Sequence, residues 1–179
     1  SANAIQALNR GAAIGRFAHD TGEGSISVHH EKHGGDLIWE IGSGYFGCRN
    51  EQGQFDPERF KATAAHTQVK MIEIKLSQGA KPGKGGILPG EKVNEEIATI
   101  RGIPVGQDSI SPNRHPEIDS VEDLLDTIEH IRDITGKPTG FKIVLGDAQF
   151  IDELCEAINT RGVASAPDFI TLDSADGGT

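Results

Sequence analysis

Apolar residues recur along this chain with two periods. Val121, Leu124, Leu125, Ile128, Ile131 and Ile134 fall on one helical stripe. Ser120 precedes the stripe as an N-cap, Asp123 takes the capping-box position and Gly136 stops it. The spacing predicts a helix over 121–135. Ile5, Leu8 and Ala12 predict another over 2–14, with Ser1 as N-cap. Asp56-Pro57 opens a third, with Phe60 and Ala64 on its buried face. Shorter helices are expected over 91–100 and 150–160. Between the helices lie apolar runs of strand length: 36–41, 69–76, 109–111, 141–145 and 169–172. A further short apolar stretch, 14–18, leads into the turn-rich 20–24. The run 69–76 alternates with a period of two. Val69, Met71, Glu73 and Lys75 take one face, and Lys70, Ile72, Ile74 and Leu76 the other.

Strands and helices thus alternate about six times over a single domain, 1–179. Alternation of this kind implies a parallel sheet with crossover helices, an α/β fold. Two architectures satisfy it: an open doubly wound sheet and a (β/α)8 barrel. Glu73 and Lys75 favour the barrel, because a charged strand face between two helical layers would be costly. A full barrel takes about 250 residues, so the expectation is an incomplete TIM barrel of about six βα units. The chain starts directly at a helix and stops just after a strand, which fits incompleteness.

The net charge of −10 disfavours nucleic acid and anionic membrane as partners. There is no apolar run long enough to span a bilayer and no signal-peptide pattern at the start. Cys48 and Cys155 stand far apart, without disulfide, zinc or iron–sulfur spacing. They read as free thiols of a cytoplasmic protein. The cluster His29-His30-Glu31-Lys32-His33 matches no tetrahedral metal site, so it reads as a surface or capping loop and no metal is expected.

The unusual loops all fall after strands, where barrel enzymes carry their chemistry. Lys75 ends a strand on its charged face, and Lys142 lies between Phe141 and Ile143, where an unpaired ammonium would be expensive. Gln78 and Lys81 share a glycine-rich loop suited to a carboxylate or phosphate. Glu23, between two glycines, suits acid–base work or ammonium binding. Residues 174–179, with Ser174, Gly177 and Gly178, suit a phosphate nest.

The segments SANAIQALNRGA (1–12), HDTGEGSIS (19–27), GDLIWEIGSGYFGCR (35–49), QVKMIEIKLSQGAKPGKGGILPG (68–90), ISPNRH (110–115), GFKIVLG (140–146) and DFITLDSADGGT (168–179) together resemble the FMN-binding glutamate synthase family. That resemblance implies a (β/α)8 barrel holding FMN, with this chain as roughly its middle two-thirds. It implies hydride transfer from reduced FMN to 2-iminoglutarate, formed from 2-oxoglutarate and ammonia. Lys75 would contact the flavin and Glu23 would lie near the flavin and the ammonia path. Gln78 and Lys81 would bind the small acidic substrate, and Gly177 and Gly178 the phosphate side. Lys142, on the next charged strand, would contact the cofactor as well, with Ser174. The chain departs from the family pattern at Tyr45, where an arginine is usual. It also lacks the amidotransferase domain, the iron–sulfur cysteines and a nucleotide-binding domain. The resemblance therefore implies free ammonia and an external electron donor, a ferredoxin or a reductase subunit. It also leaves a second reading: a non-catalytic barrel fragment or assembly module.

Overall fold

A computed structural model describes residues 1–81 and 83–176. Helix α1, Ala2–Gly15, closes when Arg16 turns left-handed at φ 58° and its N–H meets the Ala12 carbonyl. The stretch 14–18 is therefore helix end and turn, and the first strand, β1, is only His19–Asp20. The histidine cluster is not a loop but a short helix, α2, Val28–Glu31. Ser27 and His30 cap each other there, and His30 is buried. Burial pushes the His30 ring down to about 4, so it stays neutral and structural. Then come β2, Leu37–Ile41, α3, Pro57–Ala64, and β3, Val69–Lys75. In α3 the Asp56 carboxylate accepts from the N–H groups of Glu58 and Arg59, the N-cap the sequence calls for.

An excursion follows β3. Strands β4, Ile87–Leu88, and β5, Ser109–Ile110, pair antiparallel as a separate sheet. Between them run a 3-10 turn over Gly90–Lys92 and helix α4, Glu95–Arg101. The expected helix over 91–100 is thus broken at Asn94, whose side chain caps α4. The expected strand 109–111 does not join the main sheet. Helix α5, Val121–Thr135, then β6, Thr139–Ile143, α6, Gln149–Arg161, a 3-10 turn over Val163–Ser165, and β7, Ile170–Leu172, follow.

The main sheet has five parallel strands in the order β1-β2-β3-β6-β7. That order follows the sequence without reversal. A doubly wound sheet reverses at a switch point and takes helices on both faces. Here Phe60 and Ala64 of α3, Leu124, Leu125, Ile128 and Ile131 of α5, and Leu154 and Ala157 of α6 share one core with Leu37, Trp39, Ile41, Ile72, Ile74 and Phe141. All three helices therefore cover the same face. The sheet curls into a half-barrel, and none of these three helices packs on its other face.

Register decides what that other face carries. A bulge between Leu37 and Ile38 leaves Lys70 as an extra residue on β3. Val69 is thereby turned into the helix-side core, although simple alternation groups it with Glu73 and Lys75. Beyond the bulge, Glu40 lies beside Glu73, Lys75 beside Lys142, and Lys142 beside Thr171. The charged side chains therefore collect on the face opposite α3, α5 and α6. Among the described residues no helix is long and apolar enough to cross a membrane.

Candidate functional site

Lys75 ends β3, and its ammonium is the hub of the charged face. Its Nζ donates to Glu23 Oε2 at 2.7 Å and to Gln78 Oε1 at 2.9 Å, and lies 3.8 Å from Glu40 Oε1. Glu23 comes from the loop after β1. Gly22, at φ 69°, tightens that loop, and its N–H donates to Asp20 Oδ1 at 2.7 Å. Glycine 86 leaves room for the Glu23 carboxylate, since a Cβ there would stand 2.9 Å from Oε1. The excursion supplies the other partner, because Ser111 Oγ donates to Glu23 Oε1 at 2.8 Å. Glu23, Lys75, Gln78, Ser111 and Asn113 help to line a cavity of about 20 Å³.

Lys142 extends the network. Its Nζ is 3.3 Å from Glu40 Oε2 and 3.8 Å from Asp173 Oδ2. Asp173 accepts from the Gly79 N–H at 3.0 Å and ties the loop after β7 to the loop after β3. Deeper on the same face, Glu73 accepts a short hydrogen bond from the Thr171 hydroxyl. Asp20, Glu40 and Glu73 bring their carboxylate oxygens within 4.8 Å of one another.

Environment separates these carboxyls. Burial alone would raise Glu23, but the hydrogen bond and charge of Lys75, with Ser111 and Arg101, hold it below the usual carboxylate range. Glu23 is therefore an anion at neutral pH. Glu73 is pushed up to about 8, by burial first and then by the charges of Asp20 and Glu40. Burial and Asp20 also raise Glu40, with Lys142 and Lys75 pulling against them. For Lys142 burial works downward, yet Glu40 and Asp173 outweigh it and the net shift is upward.

The Glu73 shift has a consequence for stability. Its folded value exceeds the unfolded one, so the folded state holds an extra proton between the ordinary carboxylate range and about 8. Stability from this group is complete below the unfolded value and is lost as pH rises through that window. Glu73→Gln, which mimics the protonated form, is expected to flatten the fall in urea-unfolding stability from about pH 5 to about pH 8. An unchanged slope would contradict the assignment.

The structure brings together Glu23, Lys75 and Gln78, and joins Lys142 to them through Glu40. It does not bring in Lys81, which is exposed on the loop after β3. Ser174 is exposed as well, and its N–H donates to its neighbour Asp173 Oδ1. Gly177 and Gly178 lie outside the described residues. Glu40, Asp173, Ser111 and Asp20 are site residues that the sequence reading omits. Glu40 carried the same signal as Lys142, a charge inside an apolar strand.

Tyr45 stands apart from this cluster. At φ 51° it turns its ring into the helix-side core, against His115, and donates its hydroxyl to Glu117. It helps line a separate cavity of about 430 Å³ with Ile41, Ile74, His115 and Ile131. That cavity is larger and carries acidic and histidine side chains, Glu117, Asp123, Asp126, His115 and His130, but it lies on the opposite side of β3 from the lysines.

A family description, conserved region in glutamate synthase, matches residues 1–179. The glutamate synthase large subunit-like protein YerD of Bacillus subtilis (strain 168) is 42% identical over 177 residues, 98% of this chain and 33% of that relative. An archaeal-type glutamate synthase (NADPH) of Thermotoga maritima is 38% identical over all of this chain and 32% of its own length. An archaeal glutamate synthase (NADPH) of Archaeoglobus fulgidus is 35% identical over the same shares. The chain spans about a third of the length of these curated relatives.

Proposed function

This chain belongs to the glutamate synthase family, and we propose that it forms the reactive face of a (β/α)8 TIM barrel that is an FMN-dependent oxidoreductase. The reaction is hydride transfer between reduced flavin and a small imino or amino acid, 2-iminoglutarate and glutamate in the first instance. The observation that carries the reading is the Lys75 hub at the strand ends, with Glu23 and Gln78 within hydrogen-bond distance.

The residues present fit FMN. Two ammoniums, Lys75 and Lys142, sit side by side on the face opposite α3, α5 and α6, and an anionic ring system and phosphate need such partners. They would hold the cofactor, with Ser174, Gly177 and Gly178 on its phosphate side. FMN, when bound, supplies the hydride. The protein's part is electrostatic and positional. Lys75 stabilises negative charge at its Nζ, while Gln78 and Lys81 bind a substrate carboxylate. Lys75 Nζ spends two of its three N–H donors on Glu23 and Gln78. Glu23, ionised at neutral pH, is suited to accept a proton or bind ammonium rather than to act as an acid. The 20 Å³ cavity beside it has room for a molecule the size of water or ammonia and not for a dicarboxylate. The substrate's carbon chain therefore belongs on the open face beyond it. Electrons come from an external donor, a ferredoxin or a reductase subunit, and a reducing cytoplasm suits the two free cysteines.

The test is anaerobic. The full-length polypeptide is loaded with FMN, reduced chemically and mixed with 2-oxoglutarate and ammonium. Return of the oxidised-flavin band only when both are present is expected. Bound flavin that stays reduced would remove this substrate pair. The second reading is a non-catalytic barrel piece or assembly module. A folded protein that takes up no flavin would select it.

A further inference from the structure

We propose that Glu40 is a positioning residue that clamps Lys75 and Lys142 as a pair. Glu40 is 2% exposed, on a strand whose flanking residues Trp39 and Ile41 are core. An unpaired carboxylate so deep would be very costly, and removing one partner of a buried pair is strongly destabilising. Its two oxygens divide between two strands: Oε1 lies 3.8 Å from Lys75 Nζ on β3, and Oε2 lies 3.3 Å from Lys142 Nζ on β6. The register makes this possible, since β3 lies between β2 and β6 and sets Lys75 beside Lys142. Among the described residues no other group lies within salt-bridge distance of both lysines. Glu23 and Gln78 hold Lys75 alone, and Asp173 holds Lys142.

The other carboxyls facing Glu40 are Asp20 and Glu73. Glu73 has the Thr171 hydroxyl as its partner and, among the described residues, no lysine or arginine within salt-bridge distance. Of the two buried glutamates, Glu73 is the one raised to about 8 and Glu40 the one with two ammoniums beside it, so between them the charge falls on Glu40. Glu40 would thus act through the lysines rather than on a ligand, keeping two like charges at a fixed separation on the open face.

The clamp is tested without flavin, on the full-length polypeptide, by pulsed acetylation with acetic anhydride and peptide mass spectrometry. In Glu40→Gln, which keeps the side chain's volume, Lys142 loses its nearest anion and more of it is free amine at a given pH. Its acetylation is expected to quicken about tenfold, one pKa unit's worth, with Lys137 and Lys70 unchanged. Glu40→Asp keeps the charge but is one methylene shorter, and is expected to give an intermediate rate. It serves as the folded variant if the glutamine does not fold. Unchanged Lys142 reactivity in a folded variant would overturn the clamp. So would an equal rise at Lys137, which is the mark of general loosening. The proposal gains its functional meaning from the reading of these lysines as cofactor-holding groups, and a second arm separates the two ideas. FMN affinity is expected to weaken about tenfold in Glu40→Gln. Faster Lys142 acetylation with unchanged FMN affinity would sustain the clamp and overturn the lysines' role toward flavin.

Discussion

Lys75→Ala is expected to lower kcat/KM of the flavin-loaded, full-length protein by about 10²–10³-fold, the scale of losing one preorganised charge-stabilising donor. The substitution removes the hydrogen bonds to Glu23 and Gln78 and leaves Glu40 with Lys142 alone. Stability should fall too, but by less than the about 3–5 kcal/mol of a fully buried broken pair, because the Glu23 side chain is 21% exposed and water can replace part of the contact. Steady-state kinetics beside a urea melt separate the two effects. A folded Lys75→Ala protein with wild-type turnover would make Lys75 a structural cation only.

Phe141→Ala is expected to destabilise the fold by about 3–5 kcal/mol, the range for truncating a buried phenylalanine. Phe141 is fully buried beneath β6 and meets Phe150 of α6 edge-on at 6.1 Å between ring centroids. The backbone gives little room to refill the cavity. At the preceding Gly140 even a Cβ would come within 2.2 Å of the Phe169 carbonyl. Domains are stable by only about 5–15 kcal/mol, so this one change should remove a large part of the total. A loss below about 1 kcal/mol in urea unfolding would mean that the site is loosely packed.

Local signals carried much of the fold. Helix α5 was legible to its ends because the apolar stripe, Ser120 and Gly136 all agree with one another. The face of β3 was legible in part. Glu73 and Lys75 do share the side opposite α3, α5 and α6, but Val69 does not, because the bulge opposite Leu37 and Ile38 depends on the neighbouring strand and leaves no mark in β3 itself. Residues 109–111 read correctly as extended and incorrectly as part of the main sheet. Their partner, Ile87–Leu88, is two residues long and hidden behind the glycine-rich loop. In the site, Lys75, Gln78 and Glu23 were legible as polar groups in strand-end loops. Glu40 showed as a charge inside the apolar strand Leu-Ile-Trp-Glu-Ile, but its partners did not, because only the register puts it beside the lysines. Ser111 carries no sequence signal at all. It reaches Glu23 only because the β4–β5 hairpin folds back over the strand ends.

The most direct test of the central claim is an FMN titration of the full-length polypeptide, followed by visible absorbance, beside the Lys75→Ala and Lys142→Ala variants. Saturable uptake by the wild type, weakened at least about tenfold by each variant, is the predicted result. A folded wild type that takes up no flavin, or uptake indifferent to both lysines, would contradict it.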